Sequence, residues 1–183
     1  GTLESAGTDE SIAVLDIGGG STEITLGCKG EIKFSRSFAM GAVRLTEQYI
    51  KHDPVTVQDI ISLKAALAEQ ISELKDLPQT EKLVGIGGTV TALALLQQPD
   101  VSKINGMQLS LEKVQQRIGE FISLNYEQRN SLPGMPQGRA DIILAGSLIL
   151  SQFMQSLDKT GVDVCTRGVR HGYFYSLYPQ SRP

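Results

Sequence analysis

The sequence predicts a single α/β domain, with an antiparallel meander first and alternating helices and strands after it. Three observations carry that expectation. Short β-rich runs crowd residues 12–38, joined by Gly18-Gly19-Gly20-Ser21 and Lys29-Gly30. From residue 41 onward apolar side chains recur at helical spacing, interrupted by short apolar strands. The chain has 183 residues, 40% hydrophobic and 20% charged, which suits one well-buried core.

The elements follow in order. Residues 12–16, 22–27 and 31–38 read as three strands, and both connections have turn chemistry. Residues 41–51 read as a helix with Ala42, Leu45 and Tyr49 on one face. Thr56 with Asp59 three residues on is a capping-box-like start. Ile60, Leu63, Leu67, Ile71 and Leu74 then predict a long amphipathic helix up to Leu77-Pro78. Residues 83–86 form a buried-type strand running into Gly87-Gly88-Thr89 and a helix over 90–96. Ser110 opens a helix to about Ser123, residues 126–131 form a short helix before Pro133-Gly134, and residues 135–139 a loop. Residues 141–157 are apolar nearly all round, which predicts a buried central helix. A final strand over 162–165 and a final helix over 169–178 complete the chain. Residues 1–11 read as a linker tail entering the domain from a longer protein, and 12–183 as that one domain.

The totals exclude several function classes. A net charge of −3 argues against a general nucleic-acid binder or a basic membrane-surface protein. The two cysteines, Cys28 and Cys165, match no metal or redox spacing, so they read as reduced thiols in a cytoplasmic protein. The longest apolar stretch, around residues 142–150, is too short to cross a bilayer. An anion site must therefore be built locally.

The stretch VLDIGGGSTEITLG, residues 14–27, has the parts for one. Gly18, Gly19 and Gly20 free the backbone N–H groups to close on a phosphate, and Ser21 and Thr22 add hydroxyls. Asp16 at the strand end and Glu23 on the return strand can face one space and share a divalent cation. The alternative is a glycine-rich hairpin turn, although such turns call for one or two glycines rather than three followed by Ser-Thr. GIGGT at 85–89 lies between strand and helix, so it reads as a second anion-facing loop or as tight packing. It is neither a Walker A loop nor GxGxxG. Arg139 and Asp141 read as a functional pair or as a helix-start ion pair or cap. Arg167 and Arg170 read as phosphate contacts or surface salt bridges, His52 and His171 as structural, Arg36 and Arg44 as surface charges.

VLDIGGGSTEITLG, FAMGAVRLTE, VGIGGTVTALA, LPGMPQGRADIILAGSLIL and RGVRHGYFY, in that order, resemble the Ppx/GppA family of exopolyphosphatases and guanosine pentaphosphate phosphatases. The resemblance covers nearly the whole chain. It implies a ribonuclease H-like domain of the actin-like ATPase (ASKHA) superfamily, the second of two, with phosphate and Mg²⁺ held in the cleft between them. By the same resemblance Asp16 and Glu23 would serve Mg²⁺, with Glu23 also the catalytic, water-activating carboxylate. Phosphate would contact Gly18, Gly19, Gly20 and Ser21, with Arg139 and the second loop, Gly87, Gly88 and Thr89.

The family's catalytic glutamate lies upstream of this segment, in the first domain. Near the end the family often has GxREG where this chain has Gly168-Val169-Arg170-His171-Gly172. The expected activity is hydrolysis of the terminal phosphate of inorganic polyphosphate by the longer protein, with the chain alone inactive. Guanosine pentaphosphate hydrolysis and non-catalytic binding of polyphosphate or an alarmone are the alternatives, and an ATPase or kinase of the same superfamily ranks below them. Expected partners are the polyphosphate or guanosine pentaphosphate substrate, the upstream domain and, in the family, a second copy, with neither nucleic acid nor membrane.

Overall fold

The computed structural model describes residues 10–28, 31–72, 74 and 77–167. Six strands form one sheet in the order β3-β2-β1-β4-β6-β5. β1 (Ser11–Ile17), β2 (Thr22–Cys28) and β3 (Glu31–Phe38) are the antiparallel meander. β4 (Lys82–Ile86) lies parallel to β1, and β6 (Gly161–Val164) parallel to β4. β5 (Gln108–Ser110) adds an antiparallel edge. The three parallel strands therefore end together, and each runs into a loop that the sequence singles out: 18–21, 87–88 and 165–167.

The helices are α1 (Ala42–Tyr49), α2 (Val57–Gln70), α3 (Gly88–Gln97), α4 (Leu111–Ser123), α5 (Tyr126–Asn130) and α6 (Ile143–Ser156). α6 packs against α1 to α4 and against β1. It is buried along most of its length, as its all-round apolar sequence requires. Ala13, Leu15 and Ile17 of β1 are fully buried, whereas Val14 and Asp16 on the alternate face are only half-buried. Phe38 meets Phe153 of α6 edge-to-face, ring centroids 5.6 Å apart. No helix among the described residues is long and apolar enough to cross a membrane.

Several boundaries differ from expectation. The helix starting at Thr56 leaves α-geometry at Ile71 instead of reaching Leu77. Ile71 and Leu74 stay buried, so their spacing signalled burial and not helix. α6 begins at Ile143 and not at residue 141, because the N–H groups of Ile142 and Ile143 both donate to Arg139 O in a tight turn. β5 is an element the periodicity does not reveal. The helix expected over 169–178, with Arg170 and His171, lies outside the described residues.

The capping box at α2 is present, and it holds a buried carboxylate. Asp59 Oδ2 accepts from Thr56 N–H at 3.0 Å, and Asp59 N–H donates to Thr56 Oγ1 at 3.3 Å. His52 Nδ1 lies 3.1 Å from Asp59 Oδ2, so this histidine does have a partner. Burial alone would raise the Asp59 pKa. Hydrogen bonds from Thr56, from His52 and from the backbone of Lys51 outweigh it and lower the value to about 2. Asp59→Ala should cost about 1 kcal/mol, read by urea denaturation at neutral pH. Because the folded-state pKa is depressed, the wild type keeps this contribution above the ordinary value of 3.8 and loses it as pH falls toward about 2. The difference between the two proteins should close over that window.

Candidate active site

The glycine turn is held from behind by α1. The first three N–H groups of a helix have no partner within it. Here Ala42 N–H donates to Gly18 O at 2.9 Å, and Val43 and Arg44 N–H donate to Gly19 O at 3.0 Å each. Thr22 Oγ1 donates to Met40 O at 2.6 Å and ties the return strand to the same segment. The approach is close enough to require glycine: a Cβ on Gly41 would lie 2.3 Å from Gly19 O.

This arrangement aims the turn. In a planar trans peptide the C=O and the following N–H point in opposite directions. With the Gly18 and Gly19 carbonyls turned toward α1, the N–H groups of Gly19 and Gly20 face away from it. Both glycines are exposed, and among the described residues neither N–H has a protein acceptor. Gly18 differs from the expectation for the group. Its N–H donates to Ser21 O at 2.9 Å, so Gly18 contributes shape and not a donor.

The two carboxylates are cross-strand neighbours. Asp16 pairs directly with Glu23 in the β1–β2 register, and both are half-buried. Directly opposed side chains have Cβ atoms about 4.5–5.5 Å apart, within reach of one cation. Burial raises the Asp16 pKa, and the Glu23 charge raises it further. Glu23 Oε1 accepts from Ser37 Oγ at 2.6 Å. Among the described residues no cluster of three or more His, Cys, Asp or Glu could hold a metal. A bare pair of carboxylates suits Mg²⁺, which takes one or two carboxylates and completes its shell with water and phosphate oxygens.

The second glycine loop closes on the same place. Gly87 has φ +91, and a Cβ there would lie 2.7 Å from Asp16 Oδ1. The N-terminus of α3 has no side-chain cap, and the N–H groups of Gly88, Thr89 and Val90 donate to nothing among the described residues. A Cβ on Gly88 would fall 2.3 Å from Arg139 Nη2, so this guanidinium lies across the loop. It has no hydrogen-bond or ion-pair partner among the described residues. Thr89 is placed elsewhere: it is buried against Gly146 of α6, where a Cβ would meet its Oγ1 at 2.5 Å. Asp141 accepts from the Ile142 N–H at 3.0 Å, a local turn bond and not an ion pair with Arg139.

The backbone just after Arg139 is held by a buried arginine that the sequence does not advertise. Arg129 donates from Nε to Ala140 O at 3.0 Å and from Nη1 to Leu124 O at 2.7 Å. Its Nη2 bonds Asp53 Oδ1 at 3.0 Å. The structure thus gathers Asp16, Gly19, Gly20, Glu23, Gly87, Gly88 and Arg139, and adds Ser37, Gly41 and Arg129. Arg167 stands at the end of the neighbouring strand β6, at the same edge of the sheet.

The ionised pair is a stability deficit in the free chain. A carboxyl with a raised folded-state pKa favours the protonated form. Ionised Asp16 therefore subtracts from stability as pH rises above 3.8 and through its folded-state value. With chelator present, Asp16→Asn should melt above wild type at neutral pH, and the gap should close on acidification below 3.8. A variant melting below wild type at neutral pH would contradict this.

Comparison with known proteins gives the family and the fold. The pattern that defines the Ppx/GppA phosphatase family matches residues 1–181. Exopolyphosphatase 2 of Mycobacterium tuberculosis is 35% identical over 179 residues, covering 91% of this chain and 54% of that protein. The guanosine-5'-triphosphate,3'-diphosphate pyrophosphatase of Aeromonas salmonicida is 28% identical over 168 residues, 90% of this chain and 33% of that protein. The crystal structure of the Aquifex aeolicus Ppx/GppA family member superposes with a TM-score of 0.89 at 28% identity. That match covers 100% of this chain and 61% of the Aquifex chain. The fold is that of the actin-like ATPases. The chain covers about half the length of the mycobacterial relative.

Proposed function

We propose, for a chain that belongs to the Ppx/GppA phosphatase family, that it forms the phosphate-binding half of an exopolyphosphatase. The observation that carries this reading is convergence. Two outward backbone N–H groups, a helix N-terminus and a guanidinium, both without partners among the described residues, and a pair of carboxylates meet at one end of the sheet. Donors of that kind bind phosphate oxygens, and a carboxylate pair among them needs a cation. The 35% identity to a mycobacterial exopolyphosphatase supports polyphosphate as the substrate class. The Aeromonas relative supports a second reading, removal of the 5'-terminal phosphate of guanosine pentaphosphate, which breaks the same kind of phosphoanhydride.

In this reading Gly19 N–H, Gly20 N–H and Arg139 hold and orient the terminal phosphate. Asp16 and Glu23 would hold Mg²⁺, which supplies charge neutralisation on the phosphate oxygens when bound. Glu23 also orients a water in line with the bond to the next phosphate. The water oxygen bonds to phosphorus, its proton passes to a carboxylate, and the bond to the chain breaks. Inorganic phosphate leaves, and a polyphosphate shorter by one unit remains. The chain alone supplies one wall of the cleft and turns over little. The accepting carboxylate would come from the other domain, as the resemblance implies.

The test is phosphate release from long polyphosphate with Mg²⁺, comparing this chain with a protein extended to the relatives' length. Release only from the extended protein is the expected result. No release from either polyphosphate or guanosine pentaphosphate would overturn the reading. In the extended protein Gly88→Ala displaces the mobile end of Arg139 and leaves the backbone alone. Loss of a charge-assisted bond of about 1.5–3 kcal/mol should raise KM roughly 10- to 100-fold, with little change in melting temperature.

A further inference from the structure

Strand β3 brings a serine to the carboxylate pair only because the hairpin carries a bulge. Near the turn, Cys28 pairs with Glu31 and Gly27 with Ile32. Continued without interruption, that register would set Arg36 opposite Glu23. A register shift between Leu26 and Gly27 moves β3 by one residue. Leu26 then pairs with Phe34, Thr25 with Ser35 and Glu23 with Ser37. A one-residue slip exchanges the faces of a strand. Here it removes a guanidinium from the carboxylate and supplies a hydroxyl. Arg36 lies over the Phe38 ring instead, 5.0 Å from its centroid. Bulges are enriched beside active sites, where they re-aim a side chain.

We propose that Ser37 is a positioning residue for Glu23, fixing one carboxylate oxygen so that the other, with Asp16, faces a divalent cation. Ser37 Oγ donates to Glu23 Oε1 at 2.6 Å, a short charge-assisted bond. Asp16, Glu23 and Ser37 thus form one row across three strands. A neutral donor orients the carboxylate and leaves its charge for the cation, whereas an arginine at this place would pair with it. Ser37 is exposed on the edge strand, so the fold does not rely on it. The next pair along the same face, Thr25 Oγ1 with Ser35 Oγ at 3.1 Å, has no carboxylate hydrogen-bond partner among the described residues and serves as an internal control.

The inference rests on the proposed role of Asp16 and Glu23, and the experiment separates the two. Mn²⁺ alone is titrated into the chain, and the free aqua ion is followed by electron paramagnetic resonance. Groups that orient a metal's ligands typically contribute 10- to 100-fold in affinity, so Ser37→Ala should weaken Mn²⁺ binding by roughly 10-fold. Ser37→Thr, which keeps the hydroxyl on a strand-compatible side chain, should restore it. Ser35→Ala should bind as wild type, and all three should melt at the wild-type temperature. Binding lost in Glu23→Gln but unchanged in Ser37→Ala overturns the role of Ser37 alone. Equal losses in Ser35→Ala and Ser37→Ala also overturn it, since that is a general effect of the strand. Binding unchanged in Glu23→Gln overturns the cation site and this inference with it.

Discussion

The site depends on the union between the first turn of α1 and the carbonyls of Gly18 and Gly19. Three helix N–H groups that need partners meet two carbonyls that would otherwise face water. Both sets of backbone groups are satisfied, and the peptide planes between them acquire a fixed orientation. The N–H groups of Gly19 and Gly20 are directed outward as a consequence. Glycine at 41 is the steric condition for this contact, because any Cβ there would collide with Gly19 O. The helix therefore stabilises the loop by occupying the side opposite its outward N–H groups. Its own N-terminus is not offered to a ligand. α3 behaves differently: among the described residues no side chain caps its N-terminus.

Around that loop the fold concentrates charge that the described residues do not neutralise. Asp16 and Glu23 oppose one another across β1 and β2, and the Asp16 pKa is raised by burial and by Glu23. Arg139 lies across Gly88 with no protein counter-ion among the described residues. A sequence selected for stability alone would pair these groups. A phosphate and a cation together would offset these charges, which is why the proposed chemistry needs both. The parallel register of β1, β4 and β6 brings the loops to one end of the sheet, the position at which open α/β sheets bind ligands.

Much of this is legible in the sequence, and the remainder is non-local. The meander can be read because alternation and Gly-rich turns are short-range signals. Asp16 and Glu23 follow from it, since a hairpin closed by residues 18–21 must oppose them. Ile71 and Leu74 carried helical spacing beyond the end of α2, because periodicity reports which residues are buried and not how the backbone runs between them. β5 is three residues whose partner strand lies some fifty residues away, and nothing local marks it. The distinct state of Gly18 depends on one hydrogen bond to Ser21 O. Ser37 depends on a bulge at Leu26 and Gly27 that sets the register several residues away. Arg129 sits in a polar stretch, YEQRN, that reads as surface, yet the arginine is buried, donating to the carbonyls of Phe121, Leu124 and Ala140 and to the Asp53 carboxylate.

The most direct test of the account is the response of individual backbone amides to a phosphate chain. A ¹⁵N–¹H correlation spectrum of the chain, titrated with tripolyphosphate and Mg²⁺, resolves glycine amides in a sparse region. Large shifts are expected at Gly19, Gly20 and Gly88, and little change at Ala42, Val43 and Arg44. Those three amides should also exchange slowly with solvent before any ligand is added. Fast exchange at Ala42 to Arg44, or ligand shifts that bypass Gly19 and Gly20, would contradict the claim that α1 aims this turn at phosphate.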